Sequence, residues 1–305
     1  MAACRVMLCM WLFLFFTFPL RAKDGLHEDT LCVLLAGDVM FDRGVREVSI
    51  PIDKPLRQQD EDFLVVNLET PICTRNTSVN KQIVFRSDTT CADLMYQLGI
   101  THAGLANNHS VDHGAIGLRE TVRQLLRVSI APMGYGLSTE ERATPVLMKK
   151  GGVTVALFCN LTFPIENWMV SSLDGRPNIS NLSVNNLCTN VRQYHQQHPE
   201  HHIVVFLHWG SEFHTEPFSR QRMEAILLAN AGAEAIVGHH PHVVQPMEMV
   251  GSVPVFYSVG NYLFDYPRPE CRQGMIAKLR FSKAGLVAYE GIPVNIENCF
   301  PNREE

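Results

Sequence analysis

The sequence predicts an α/β fold, a sheet with helices on its faces, and three observations lead there. Short apolar runs bounded by turn residues alternate with stretches of helical periodicity. The runs are apolar throughout rather than at every second position, which is the pattern of strands covered on both faces. A chain of 305 residues with 46% hydrophobic and 19% charged residues holds enough apolar material for a large core. In order, strands are expected at residues 32–36, 63–66, 101–105, 153–158, 203–207, 235–237 and 253–259. Leu118, Val122, Leu125 and Leu126 form one helical stripe. Phe218, Met223, Ile226 and Leu227 form a second, opened by Ser219 as cap and stopped by Gly232. A β-hairpin is expected over residues 275–294. Residues 160–188, rich in Asn, Ser, Pro and Gly, read as a surface insertion. These elements make one domain, residues 31–296, followed by a C-terminal tail at 297–305.

Residues 1–22 read as a leader. Arg5 precedes an apolar run at residues 6–20, the length of a signal-peptide core and shorter than the roughly 20 residues of a membrane span. Cleavage near Ala22 and retention as a signal anchor both stay open, because Leu20 stands where a signal peptidase favours a small residue. Asn76, Asn160, Asn178 and Asn181 each begin an Asn-x-Ser/Thr sequon, so a glycosylated, secreted or luminal protein is expected, the anchored form being the alternative. Asn108 also begins a sequon but is expected to stay unmodified. Cys32 and Cys159 lie inside apolar runs as core thiols, whereas Cys73, Cys91, Cys188, Cys271 and Cys299 are disulfide candidates. A formal charge of −5 argues against a nucleic-acid binder.

Five of the strands stop at residues suited to metal ligation, where open α/β sheets place their sites. They are Gly37-Asp38, Asn67-Leu68-Glu69, Asn107-Asn108-His109, His208-Trp209-Gly210 and Gly238-His239-His240-Pro241-His242. Any one could be a turn or a cap. Five ordered as Asp, Glu, Asn-His, His and His-x-His are not explained as five separate caps, and mixed carboxylate and imidazole donors suit Zn, Mn or Fe rather than Ca.

These segments, with Asp112-His113-Gly114, Ser211-Glu212 and Tyr257-Ser258-Val259-Gly260-Asn261, resemble the CapA family of poly-γ-glutamate capsule synthesis, from about Leu31 to Ile296. That family is similar to the calcineurin-like metallophosphoesterases, so the resemblance implies a sandwich of two sheets flanked by helices with a metal site at the strand ends. It makes Asp38 and His242 ligands of a first metal, Glu69 a bridging carboxylate, and Asn108, His208 and His240 ligands of a second. His109 would be the general acid. Met40 stands where the wider superfamily has a histidine, so one or two ions are expected, with His239 or Asp42 as compensating groups. Asp112 and Gly114 read as cap and opening of the following helix. Glu212 is placed to orient a histidine, and Asn261 to point into the cleft. Arg43, Arg86 and Arg268 are candidates for gripping an anion.

Metal chemistry of this kind supplies a nucleophile from water near neutral pH, so hydrolysis is the natural reaction class. The scissile centre is either a γ-glutamyl amide or a phosphate ester. A binding or export factor for an anionic polymer, within a membrane-associated synthesis complex, is the alternative from a different class. No run of Lys and Arg longer than Lys149-Lys150 provides the basic groove such a factor would use.

Overall fold

The computed structural model describes residues 30–54, 56–162 and 176–303. Along the chain run β1 (Leu31–Val39), β2 (Phe63–Leu68), α1 (Cys91–Gln97), β3 (His102–Gly104), α2 (Gly114–Arg127), β4 (Ala131–Met133), β5 (Tyr135–Gly136), α3 (Thr139–Ala143), β6 (Val146–Lys150) and β7 (Val153–Leu161). They are followed by β8 (Asn178–Ile179), α4 (Val184–Gln197), β9 (His202–His208), α5 (Ser219–Ala231), β10 (Ala235–His239), β11 (Met247–Val250), β12 (Val253–Phe256), β13 (Asn261–Leu263), β14 (Gln273–Ser282), β15 (Gly285–Glu297) and β16 (Phe300–Arg303).

Two sheets dominate. The first runs β16-β15-β14-β1-β2-β3-β4, with β13 also pairing β1, and the second runs β11-β12-β10-β9-β7-β6. β1, β2, β3 and β4 pair in parallel, as do β7, β9, β10 and β12. The alternation of strand side chains sorts the second sheet between two cores. Val204 and Phe206 of β9, with Val155 and Leu157 of β7, join Val33, Leu35 and Val65 between the sheets. Ile203, Val205 and Leu207 of β9 face the other way, onto Leu187, Val191, Ala225 and Leu228 of α4 and α5. Both faces are therefore covered, which is why these strands read as unbroken apolar runs.

Four expectations are corrected. Phe218, Met223, Ile226 and Leu227 face outward, while Gln221, Glu224, Ala225 and Leu228 turn inward. Apolar residues are spread round α5, so periodicity alone could not say which face packs; the two inward polar groups are satisfied by Gln245 and Arg220. Gly232 does stop the helix, at φ 115°, but the cap is Phe218 rather than Ser219. The stretch from Asn160 is not wholly an insertion: Asn160 and Leu161 complete β7, and α4 begins at Val184, while 163–175 lie outside the described residues. The C-terminal tail is instead the strand β16, paired with β15, with Phe300 buried and Arg303 bound to Glu61. The leader also lies outside the described residues. Among the described residues, no helix is long and apolar enough to cross a membrane.

Candidate metal centre

Parallel strands carry their terminal residues to one edge of a sheet, and here both sheets do so at the same cleft. Asp38 and Glu69 come from β1 and the end of β2, and Asn107, Asn108 and His109 lie just past β3. His208 and His239 close the neighbouring parallel strands β9 and β10, and His240 and His242 sit in the turn beyond. Two glycines permit this approach. A Cβ on Gly37 would lie 1.8 Å from the Gly260 carbonyl oxygen, and one on Gly238 would lie 2.1 Å from Trp209 Nε1. His240 and His242 adopt left-handed backbone, φ 100° and 58°, strain of about 1–3 kcal/mol each that the surrounding fold must impose.

The donor atoms of Asp38, Glu69 and His242 lie within 4.8 Å of one another, as do those of Glu69, His208 and His240, so Glu69 is common to both groups. Glu69 Oε1 is 3.7 Å from His208 Nε2, and its Oε2 is 3.9 Å from His242 Nε2. Asn108 Oδ1 is 3.0 Å from the same His208 Nε2. His242 Nδ1 is held by Asn261 Oδ1 at 2.8 Å and by Asp38 Oδ2 at 3.2 Å, which leaves Nε2 turned to Glu69. His239 joins Asp38 to His208, its Nδ1 lying 3.3 Å from Asp38 Oδ1 and 2.9 Å from His208 Nδ1.

Glu69 tests whether a cation fits. It is 1% exposed, and neither carboxylate oxygen has a hydrogen-bond partner among the described residues. Burying an ionised carboxylate costs several kcal/mol unless it is compensated. Burial and the charge of Asp38 accordingly push Glu69 well above the usual carboxylate range. Burial also works to raise Asp38, but hydrogen bonds from His239 and His242 outweigh it and hold that carboxyl well below its usual range. Burial and the His240 ring keep His208 well down, and burial and His242 keep His240 at about 3. Neutral imidazole is the form that ligates metals. Burial pulls His242 down, but the charge of Glu69 and the Asp38 hydrogen bond raise it to about 9. Two carboxylates, one of them without a hydrogen bond among the described residues, beside the neutral imidazoles of His208 and His240 form a donor set that suits a divalent transition ion, and His242 would give up its proton to join it.

Beside these donors stands a unit that only the fold assembles. His109 Nδ1 contacts Asp112 Oδ2 at 2.7 Å and Lys81 Nζ at 3.1 Å, and Lys81 also binds Asp112 Oδ1 at 3.0 Å. Lys81 further donates to the Asn108 carbonyl at 2.7 Å. Asn107 knots the turn, its Oδ1 accepting the His109 and Ser110 N–H groups while its Nδ2 donates to Asn67 Oδ1 and the Leu68 carbonyl. Asn67 Nδ2 in turn donates to Asp38 Oδ1 at 2.7 Å. Sequence reasoning misses Lys81 and Asn107 as functional residues; Asn107 carries a positional signal beside Asn108, and Lys81 carries none.

Several expectations change on this geometry. Asp112 is no helix cap: its carboxylate holds His109, Lys81 and the Phe85 N–H, and α2 opens from His113 without a side-chain cap. Asn261 does not point freely into the cleft, since it anchors His242 and donates to the Cys271 carbonyl. Met40 is wholly buried in the core, its sulfur accepting the Asp42 N–H, and Asp42 is spent on Arg43 N, Arg86 N and Arg46. Of the two compensating groups, only His239 reaches Asp38. Glu212 is half-buried, with its carboxylate grouped near His240 and His242. Arg43 sits at the rim, 5.0, 5.6 and 5.5 Å from the rings of Phe85, Phe264 and Tyr266 and paired with Asp265. Phe85 packs on His109, and Phe264 and Tyr266 pack on His242. Arg86 is bound to the Cys73 carbonyl and Arg268 lies over Phe213.

Glycosylation and disulfides are corrected as well. Asn160 is fully buried, with its amide bonded to the Leu161 and Leu182 carbonyls, Ser180 and the Leu182 N–H; Asn178 is 2% exposed. Neither can carry a glycan in this fold. Asn181 donates to the Leu161 carbonyl, whereas Asn76 lies exposed in a loop. Cys73, Cys91, Cys188, Cys271 and Cys299 are free thiols, like Cys32 and Cys159. Cys188 packs between α4 and the second sheet, apart from the others, and burial pushes Cys73, Cys91 and Cys271 up to about 11, the state of protonated core groups.

The profile of a family described as "Bacterial capsule synthesis protein PGA_cap" matches residues 32–266. The chain is 26% identical over 290 residues to the PGA biosynthesis protein CapA of Bacillus subtilis, covering 90% of this chain and 74% of that protein. It is also 26% identical over 298 residues to the capsule biosynthesis protein CapA of Bacillus anthracis, covering 93% and 71%. Among solved structures it is similar to a phosphatase from Mycoplasma pneumoniae, with a TM-score of 0.53 at 11% identity over 88% of this chain and 94% of that one. That likeness concerns the fold alone, a mixed α/β architecture of sheets flanked by helices.

Proposed function

The chain belongs to the PGA_cap family of bacterial capsule synthesis proteins, and from that premise we propose that it is a metal-dependent hydrolase acting on an anionic substrate of the poly-γ-glutamate type. The observation that carries this reading is Glu69, a buried carboxylate with no hydrogen bond among the described residues, common to two groups of side chains that could hold a metal ion. Asp38 and His242 would hold one ion and Asn108, His208 and His240 a second, with Glu69 between them. A divalent ion bound there supplies Lewis acidity at the scissile centre and activates water at neutral pH.

The remaining work falls to the chain's own groups. His109 is proposed as the proton donor to the leaving group, its ring fixed through Nδ1 by Asp112, so Nε2 is the atom left to act. Burial is the main cause that lowers His109 to about 4, against the Asp112 hydrogen bond that works to raise it. Arg43, held on its aromatic shelf, is proposed to meet an anionic group of the substrate at the rim. Placement in the secretory pathway is proposed on the leader and on the exposed sequon at Asn76, and glycosidase digestion with cell fractionation tests it.

The test of the activity is elemental analysis of protein purified without chelator, paired with assays on poly-γ-glutamate and on a chromogenic phosphodiester. Metal with cleavage of the polymer is the expected result. Metal with cleavage of the phosphodiester alone would turn the reading to a phosphoesterase, and metal-free protein that binds the polymer uncleaved would turn it to a binding factor.

A further inference from the structure

At the opposite end of β9 lies a second group of metal-ligating side chains. His198, Glu200 and His201 occupy the connection between α4 and β9, and their donor atoms all lie within 4.8 Å of one another. The sequence builds this cluster locally. His198 closes α4, its N–H bonded to the Tyr194 carbonyl, and Pro199 then sets the backbone for a turn closed by the His201 N–H on the His198 carbonyl at 3.1 Å. The turn brings the two imidazoles together, stacked with centroids 5.0 Å apart and planes at 8°.

The distances suit a small cation. His201 Nε2 is 3.3 Å from Glu200 Oε1, and His198 Nδ1 is 4.0 Å from the same oxygen. Ligands at about 2.0–2.2 Å around a tetrahedral ion are themselves separated by roughly 3.4 Å. His201 Nδ1 is bonded to Tyr194 Oη at 2.8 Å, the kind of partner on the second ring nitrogen that fixes a ligating histidine and leaves Nε2 for the ion. Glu200 and His198 are open to solvent, so an ion can enter without rearrangement.

We propose that the His198–His201 turn is a separate binding site for a divalent transition ion, with His198, Glu200 and His201 as ligands and Tyr194 holding His201. Imidazole-rich donors select Zn, Ni or Cu over Mg and Ca. The site is independent of the proposed catalytic centre: from His202 to His208 the strand advances about 3.3 Å per residue, or roughly 20 Å in all. His202 takes no part, being bonded to Glu234.

The test is Zn titration of the full chain, with metal counted by elemental analysis after gel filtration, in wild type, His198→Asn, Glu200→Gln and His208→Ala. The expected result is that His198→Asn and Glu200→Gln each bind one equivalent fewer than wild type while hydrolysis is unchanged. His208→Ala should lower metal at the other centre and keep this one. Equal stoichiometry in wild type and both turn variants, with folding verified by melting, would overturn the proposal, and would leave the reading of the catalytic centre untouched. Copper added to wild type after Zn has filled the first centre should give a nitrogen-coupled EPR signal, and an oxygen-only signal would also count against it.

Discussion

At the scale of single residues, the proposed roles separate holding an ion from moving a proton. Asn108 and His109 are neighbours in sequence, yet Asn108 Oδ1 faces His208 while the His109 ring packs on Phe85 and leans on Asp112. His109→Ala is therefore expected to keep its metal and lose about 10²–10⁴ in turnover. Metal content and rate measured on one preparation check this, and a variant that loses metal would make His109 a ligand instead. Asp112→Asn tests the support of that ring. An amide keeps one acceptor oxygen but cannot serve His109, Lys81 and the Phe85 N–H together. Turnover is expected to fall about 10–100-fold with metal unchanged, the scale typical of residues that orient a working side chain. The donors themselves were legible in the sequence, because each follows an apolar run with no other use for a polar residue. Lys81 was not: it lies in a loop 28 residues from His109, and nothing in its local pattern distinguishes it from a solvated lysine.

At the scale of elements, close approach of backbones explains where strength and fragility lie. Gly238 admits Trp209, whose Nε1 donates to the Tyr257 carbonyl at 2.7 Å across the end of β10. Gly238→Ala would force that contact apart and should cost about 1–3 kcal/mol, with less metal retained because His239 and His240 come directly after it. Unchanged melting and metal content would show that the strand end can yield. A second tie joins β9, the start of β10 and the hairpin of β14 and β15: His202 Nδ1 meets Glu234 Oε1 at 2.9 Å, and Glu234 Oε2 accepts the Leu286 N–H. The Glu234 hydrogen bond raises the His202 pKa above its ordinary value. A group protonated more readily when folded stabilises fully below its unfolded pKa of about 6.5 and loses that contribution as pH rises through the folded value. The stability gap between wild type and Glu234→Gln should thus be widest near pH 6 and shrink towards pH 9, a trend that denaturant melts at each pH can check. Strands covered on both faces were legible as apolar runs, and the hairpin from its turn. The facing of α5 was not, because Met223, Ile226 and Leu227 lie outside while Gln221, Ala225 and Leu228 lie inside, leaving no clean polar face to read. β16 was also hidden, as four residues whose place depends on pairing with β15.

At the scale of the whole molecule, the proposed ions would act as a clasp between two sheets. Asp38, Glu69 and Asn108 belong to the first sheet and the loops that leave it; His208 and His240 belong to the second. The apolar core between the sheets already joins them, so removing metal should loosen the molecule rather than unfold it. An ion that binds only the folded state stabilises by mass action, by about 4 kcal/mol when its concentration is a thousandfold above the dissociation constant. For a domain of this size, each kcal/mol corresponds to roughly 2–4 °C in melting temperature. Chelation is therefore expected to lower melting by about 8–16 °C, and readdition of Zn or Mn to restore it. The effect should shrink in Glu69→Gln to whatever the separate His198–His201 turn contributes. That variant removes the shared carboxylate, and with it the burial penalty that the ion offsets, so its metal-free form should melt at or above metal-free wild type. Chelation that leaves wild-type melting unchanged, or a Glu69→Gln variant that melts well below metal-free wild type, would mean that Glu69 is held by something other than a cation, and the two-sheet clasp would have to be abandoned.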